Sequence, residues 1–276
     1  MDEHKKMIEE SFEIYARVWK AMPHIIRPTK SEVGIYERIL RKIKKDGMKV
    51  LILGATPEFR DLTTKLGIET TIVDVNPVMI KSMNLLMSQK PAKEKVIIGD
   101  WLSFKTGEKY DVVLSDCSIN MLPWPRFEDL VRKVAGVLKD DGYWLGRVCI
   151  TPKGFNFPSW DESWKFIRKY PNDPWEAINC MLATVRDKDW LMPVPKVLER
   201  LKQDFDAGKM TEEEYNKLKI PNPKMSITYP SEEEFDKVFS KYFTLMSKEL
   251  GSEFFSCRWG PVYFGKVSPV LKSSSA

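Results

Sequence analysis

The sequence predicts an α/β protein: a seven-stranded, mostly parallel, doubly wound sheet with helices on both faces and an antiparallel last strand. Three observations carry this. Short apolar runs alternate with amphipathic stretches between residues 49 and 150. Runs such as Val50-Leu-Ile-Leu53 are continuously apolar, as in strands buried on both sides. Two further strand-like runs then follow a helical stretch close to the C-terminus. A helical N-terminal extension and a helical insertion after the fifth strand complete the pattern.

In chain order, residues 1–21 place Met7, Phe12, Tyr15, Val18 and Trp19 mostly at three- and four-residue steps, the period of a helix. Pro23 and Pro28 interrupt the chain before a second helix over 31–45, with Ser31 as its N-cap and Ile35, Ile39, Leu40 and Ile43 as its buried stripe. Strands are expected at Lys49–Leu53, Thr70–Asp74, Lys95–Ile98, Asp111–Ser115 and Gly142–Ile150, with helices near 58–66, 77–88 and 126–139. Residues 151–230, rich in Pro and Trp, break this rhythm with helical pieces near 160–169, 174–188, 194–206 and 211–219. Ser231 and Glu234 have capping-box spacing ahead of a helix, and strands near 243–250 and 261–267 close the chain. The expected organisation is therefore an extension over 1–46, a core over 47–150, an insertion or lid over 151–230, and a completing helix and hairpin over 231–276.

Composition narrows the function. Apolar residues make up 43% and charged residues 30% of 276, ordinary for a chain that buries a real core. No apolar run approaches the ~20 residues a membrane helix needs. The opening residues lack a signal peptide's apolar stretch, so a cytoplasmic protein is expected. Cys117, Cys149, Cys180 and Cys257 are scattered without CxxC or Cys/His clustering, so no metal site and free thiols are expected. A net charge of +5, spread along the chain, is weak support for nucleic-acid binding.

Four motifs carry the chemistry. Val50-Leu-Ile-Leu-Gly-Ala-Thr-Pro-Glu58 is a buried strand running into a turn in which Gly54 lets backbone pass close to a ligand, beside Ala55 and Thr56. Asp74 ends the next strand, 20 residues later, where a carboxylate can accept both hydroxyls of a ribose, with Val75, Asn76 and Met79 expected beside it at the cofactor; Asp74 can also be an ordinary helix N-cap, with Pro77 opening the next helix. Gly99-Asp-Trp101 follows the third strand: Asp100 can meet an exocyclic amine and Trp101 a purine face, or the two are a turn aspartate and a core tryptophan. The fourth strand delivers Ser115, Asp116 and Ser118 to the carboxyl edge of the sheet, where open α/β folds bind ligands, and Asn120 and Trp124 can point toward the second substrate. These polar residues also suit a tight turn.

This order resembles that of class I S-adenosylmethionine-dependent methyltransferases, over about residues 48–150, with the closing hairpin also fitting. Val134-Ala-Gly-Val-Leu-Lys-Asp-Asp-Gly-Tyr-Trp-Leu is similar to that family's helix, Gly turn and fifth strand. The sequence departs at Gly-Ala-Thr-Pro-Glu, which keeps one glycine of the usual glycine-rich turn. The resemblance implies S-adenosylmethionine as cofactor, held by Gly54 and neighbouring backbone at the methionine end, Asp74 at the ribose, and Asp100 and Trp101 at adenine. Residues near Asp116 would stand beside the methyl group.

Methyl transfer is an in-line displacement, so alignment and water exclusion are the protein's main tasks. Asp116 is the first candidate for a general base, His24 a distant second. Tyr15, Trp19 and Arg27 are expected either over the pocket, with Arg27 at the cofactor's carboxylate, or packed on the sheet edge. Substrate identity should reside in the insertion, whose aromatics Trp160, Trp164, Tyr170, Trp175 and Trp190 form either a lid or a core of its own. A small-molecule acceptor is the expected substrate; RNA or protein methylation and a catalytically idle cofactor-binding partner are the alternatives. No membrane partner is expected, and the sequence leaves the oligomeric state open.

Overall fold

The computed structural model describes residues 16–20, 27–91, 93–219 and 226–268. Tyr15, His4 and His24 fall outside them, and of the expected N-terminal helix the described part, residues 16–20, is helical.

Among the described residues, nine strands form two sheets: β1 Lys49–Leu53, β2 Glu69–Asp74, β3 Glu94–Ile98, β4 Tyr110–Asp116, β5 Leu138–Arg147, β6 Leu191–Pro193, β7 Ser226–Thr228, β8 Phe243–Glu249 and β9 Val262–Val267. The main sheet has the order β3-β2-β1-β4-β5-β9-β8. Strands β1 to β5 pair in parallel, and β9 runs antiparallel to both neighbours. The seven-stranded sheet with an antiparallel last strand is as the sequence predicts.

Burial explains the central strands. Val50, Leu51 and Ile52 are fully buried because both faces of β1 are covered. On one face, Val50 and Ile52 pack with Ile35, Tyr36, Ile39 and Phe59; on the other, Leu51 and Leu53 pack with Val113, Phe127 and Val131.

Helix boundaries follow their caps. The first described long helix, Lys30–Ile43, is capped by Thr29 rather than the expected Ser31: Thr29 and Glu32 satisfy each other's backbone amides in a capping box. Pro57–Lys65 and Pro77–Asn84 both open on proline, whose missing N–H costs nothing in a first turn. Arg60, 1% exposed, ties the first of these to β3 through Glu94 at 2.6 Å and to Asn84 at the end of the second.

The segment after β5 packs four helices, Trp160–Lys169, Pro174–Thr184, Val194–Asp206 and Glu212–Leu218. It also contains the antiparallel β6–β7 pair, which the expected all-helical insertion lacks. Trp160, Trp164 and Trp175 are buried in the segment's own core with Met181, Val197 and Leu201. No described helix is long and apolar enough to cross a membrane.

Candidate active site

Strand register builds the site. Leu53 of β1 is paired with Val73 on one side and with Ser115 on the other. The next residues, Gly54, Asp74 and Asp116, therefore reach one level at the carboxyl edge, where the strand order reverses between β1 and β4. They line a cavity of about 260 Å³.

On the β1–β2 side, Gly54 adopts φ +102°, which a side-chain-bearing residue rarely tolerates. Its N–H donates to the carbonyl of Val73 at 2.8 Å, and the Trp101 indole donates to the same oxygen, also at 2.8 Å. A Cβ on Gly54 would meet the Trp101 ring at 3.8 Å, so backbone conformation rather than space reserves this position for glycine. Ala55 and Thr56 continue the wall into the N-terminus of the helix Pro57–Lys65. Asp74 Oδ1 accepts from the N–H of Asn76, and burial raises its carboxyl above the usual aspartate value. Met79 and Met83 supply the cavity's apolar side here.

On the β4 side, the Asp116 side chain is 1% exposed. Its Oδ1 accepts from Arg147 Nε at 2.6 Å, whereas its Oδ2 is buried without a hydrogen-bond partner. Burial pushes this carboxyl up to about 7; Arg147 opposes the shift, and the nearby Glu32 and Glu58 carboxylates reinforce it. Burial also works against the Arg147 charge, but Asp116, Cys117 and Glu32 outweigh it and hold the guanidinium charged. Tyr36 locks the cluster to the sheet: its hydroxyl donates to the Ser115 carbonyl at 2.8 Å and accepts from the Arg147 N–H at 2.6 Å. Ser118 Oγ donates to the Leu53 carbonyl, joining β4's turn to β1.

The remaining wall comes from Cys117, Asn120, Met121, Cys149, Ile227 and Tyr229. Asn120 is structural as well as lining. Its Nδ2 donates to the carbonyls of Cys149 and Thr228 at 2.6 and 2.7 Å, and its Oδ1 accepts from the Cys149 N–H.

The structure brings together Gly54, Ala55, Thr56, Asp74, Met79, Trp101, Asp116, Asn120 and Trp19 around this cavity. Among the described residues, it does not bring the other expected site residues to the cavity wall. Asn76 caps the helix Pro77–Asn84 through its Oδ1, and Val75 is 67% exposed. Asp100 is exposed and its Oδ1 accepts from the Leu102 N–H, the behaviour of a turn aspartate, while Gly99 donates to the Asp74 carbonyl. Ser115 is buried behind the wall, its Oγ accepting from the Trp144 indole. Trp124 packs on Phe127, ring centroids 5.0 Å apart. Arg27 pairs with Glu58 at 3.2 Å and lines a separate cleft with Thr29 and Val33.

Residues 54–142, from the β1 turn to the glycine of β5, match the family described as a methyltransferase domain. The chain carries a methyltransferase domain in a class I, Rossmann-like methyltransferase fold. No curated protein matches the sequence. In fold, the methyltransferase is similar to the CcbJ methyltransferase of Streptomyces caelestis, with a TM-score of 0.57, 14% identity, and 92% of this chain and 96% of that one covered. It is also similar to an S-adenosylmethionine-dependent methyltransferase of Clostridium acetobutylicum, with a TM-score of 0.56, 12% identity, and coverage of 97% and 100%. The N-methyltransferase NodS of Bradyrhizobium japonicum, crystallised with S-adenosylhomocysteine, gives a TM-score of 0.50 at 11% identity, with 87% and 88% covered.

The cavity fits S-adenosylmethionine, the cofactor that the sequence resemblance implies. Asp74 and Asp116 are the charged lining groups among the described residues, and Trp19, Trp101 and Tyr229 add aromatic faces. A sulfonium cation is favoured by both. The N-terminus of Pro57–Lys65 presents a positive dipole end for a carboxylate. Sequence reasoning missed Met83, Cys149, Ile227 and Tyr229 as lining residues, and Arg147 and Glu32 as the partners that set the Asp116 environment. Arg147 alone left a trace, as the one charged residue within the expected strand Gly142–Ile150.

Proposed function

We propose that the methyltransferase alkylates a small, largely apolar acceptor enclosed in this cavity, with Asp116 accepting the acceptor's proton. The observation that carries the reading is the buried, unpartnered Oδ2 of Asp116 on a wall with no lysine, arginine or histidine among the described lining residues. A buried acceptor oxygen left unsatisfied is costly, so a ligand N–H or O–H is the natural occupant of that position. Phosphate or carboxylate groups would find no cation to pair with there, which argues against nucleic acid as the acceptor.

When bound, S-adenosylmethionine supplies an electrophilic methyl group on a sulfonium centre. This chain's residues do the rest. Asp74 receives the ribose hydroxyls, the Gly54–Thr56 backbone approaches the methionine end, and Trp101 offers its face to the adenosine. Arg147 fixes the Asp116 carboxyl through Oδ1, which leaves Oδ2 free for the proton. The 151–230 segment closes the acceptor side through Ile227 and Tyr229.

Incubation with cofactor carrying a labelled methyl group, separately with a metabolite extract, RNA and protein, tests this. Label is expected in the metabolite fraction. Label in RNA or protein alone would overturn the small-acceptor reading. Binding of S-adenosylhomocysteine without turnover in any fraction would overturn methyl transfer itself.

A further inference from the structure

Cys117 and Cys149 stand with their sulfurs 2.9 Å apart, both on the cavity wall. Cys117 ends β4 in a left-handed conformation, φ +50°, a departure from strand geometry at the residue next to Asp116. Its N–H donates to the Arg147 carbonyl at 2.9 Å, which fixes its position against the end of β5 two residues before Cys149. Cys149 is held at both backbone atoms by Asn120. A disulfide needs its sulfurs about 2.05 Å apart, so closing the pair asks for a movement of about 0.9 Å between two well-anchored backbones.

We propose that Cys117 and Cys149 are a thiol–disulfide exchange site that takes a small-molecule disulfide through the cavity. Cys117 is the less buried of the two and meets the reagent first. Its thiolate attacks one sulfur of R–S–S–R, a new S–S bond forms to Cys117, and R–S⁻ leaves. The Cys149 thiolate then attacks the Cys117 sulfur, the intramolecular bond forms, and the second R–S⁻ leaves. The two thiol protons go to the two departing thiolates, and the two electrons reduce the external disulfide. Burial and the neighbouring Cys149 hold the Cys117 thiol well above its ordinary value, so exchange accelerates as pH rises. The remaining thiols are outside this chemistry: Cys180 and Cys257 are buried and do not line the cavity.

The bond would form within the wall that also carries Asn120 and Tyr229, and its effect on the acceptor side rests on the proposed function; the thiol chemistry does not. The native protein is equilibrated with mixtures of glutathione and glutathione disulfide, alkylated, unfolded and mapped by mass spectrometry. The expected product is a linked pair of Cys117 and Cys149 peptides, lighter by two hydrogens and restored by dithiothreitol. In Cys149→Ser, Cys117 is expected to stop at the mixed disulfide with glutathione. A stable glutathione adduct on Cys117 in the unaltered protein, linkage to Cys180 or Cys257, or two thiols inert in every mixture would overturn the proposal. A positive map with no methyl turnover would overturn the proposed function and leave the exchange site standing.

Discussion

Arg147 holds Asp116 by one carboxylate oxygen, Nε to Oδ1 at 2.6 Å, and leaves the other oxygen buried at the cavity. A guanidinium that also pairs with Glu32 has its charge shared between two carboxylates. That sharing is why burial can lift the Asp116 carboxyl to about 7 in spite of a direct cation.

Methyl transfer should therefore rise with pH up to about 7 and level off above it, as Asp116 becomes able to accept a proton. A pH profile of kcat/KM checks this, and Asp116→Asn should remove the rise and lower the rate by roughly 10²–10⁴-fold. Stability should move the opposite way. Between about pH 4 and 7 the folded protein keeps a proton that the unfolded chain has lost, so this group's contribution to stability declines as pH rises. Asp116→Asn should flatten that slope in urea denaturation at pH 5 and pH 8.

Gly54→Val should abolish cofactor binding and leave a folded protein. The cost lies in the backbone: at φ +102° a β-branched residue is strained by roughly 1–3 kcal/mol, relieved only by moving the turn. Calorimetry with S-adenosylhomocysteine checks it, and normal affinity would remove Gly54 from the site.

Asp74→Ala should weaken S-adenosylhomocysteine binding by about 10–100-fold, the worth of one or two hydrogen bonds to a charged acceptor. The same calorimetric titration reads it. An unchanged affinity would reduce Asp74 to an anchor for the Asn76 amide.

Asn120→Ala should cost about 2–5 kcal/mol of stability, because two buried carbonyls and the Cys149 amide lose their partner together. Thermal denaturation followed by circular dichroism checks it. A loss of turnover at unchanged stability would instead make Asn120 a substrate contact.

The centre of the sheet was legible because β1 and β4 are buried on both faces and so carry uninterrupted apolar runs, each closed by a turn. Gly54, Asp74 and Trp101 were legible for a related reason: they lie one to three residues beyond the apolar runs of β1, β2 and β3, where register leaves little choice. Asp100 was read as a ligand group, and its local hydrogen bond to Leu102 makes it a turn residue, an ambiguity that spacing alone does not resolve. Ile227 and Tyr229 were illegible because their placement depends on β6–β7 pairing across more than thirty intervening residues. Arg147 and Glu32 are 115 residues apart, and no local pattern links them.

The 151–230 segment keeps Trp160, Trp164 and Trp175 in a core distinct from the two that sandwich the central strands. Substitutions within that core are thereby separated from the strands that set Gly54, Asp74 and Asp116 at one level, and the contact with the site is left to Ile227, Thr228 and Tyr229. Such a division lets an acceptor preference drift over evolutionary time, or be re-engineered by grafting, without renegotiating the donor half of the reaction.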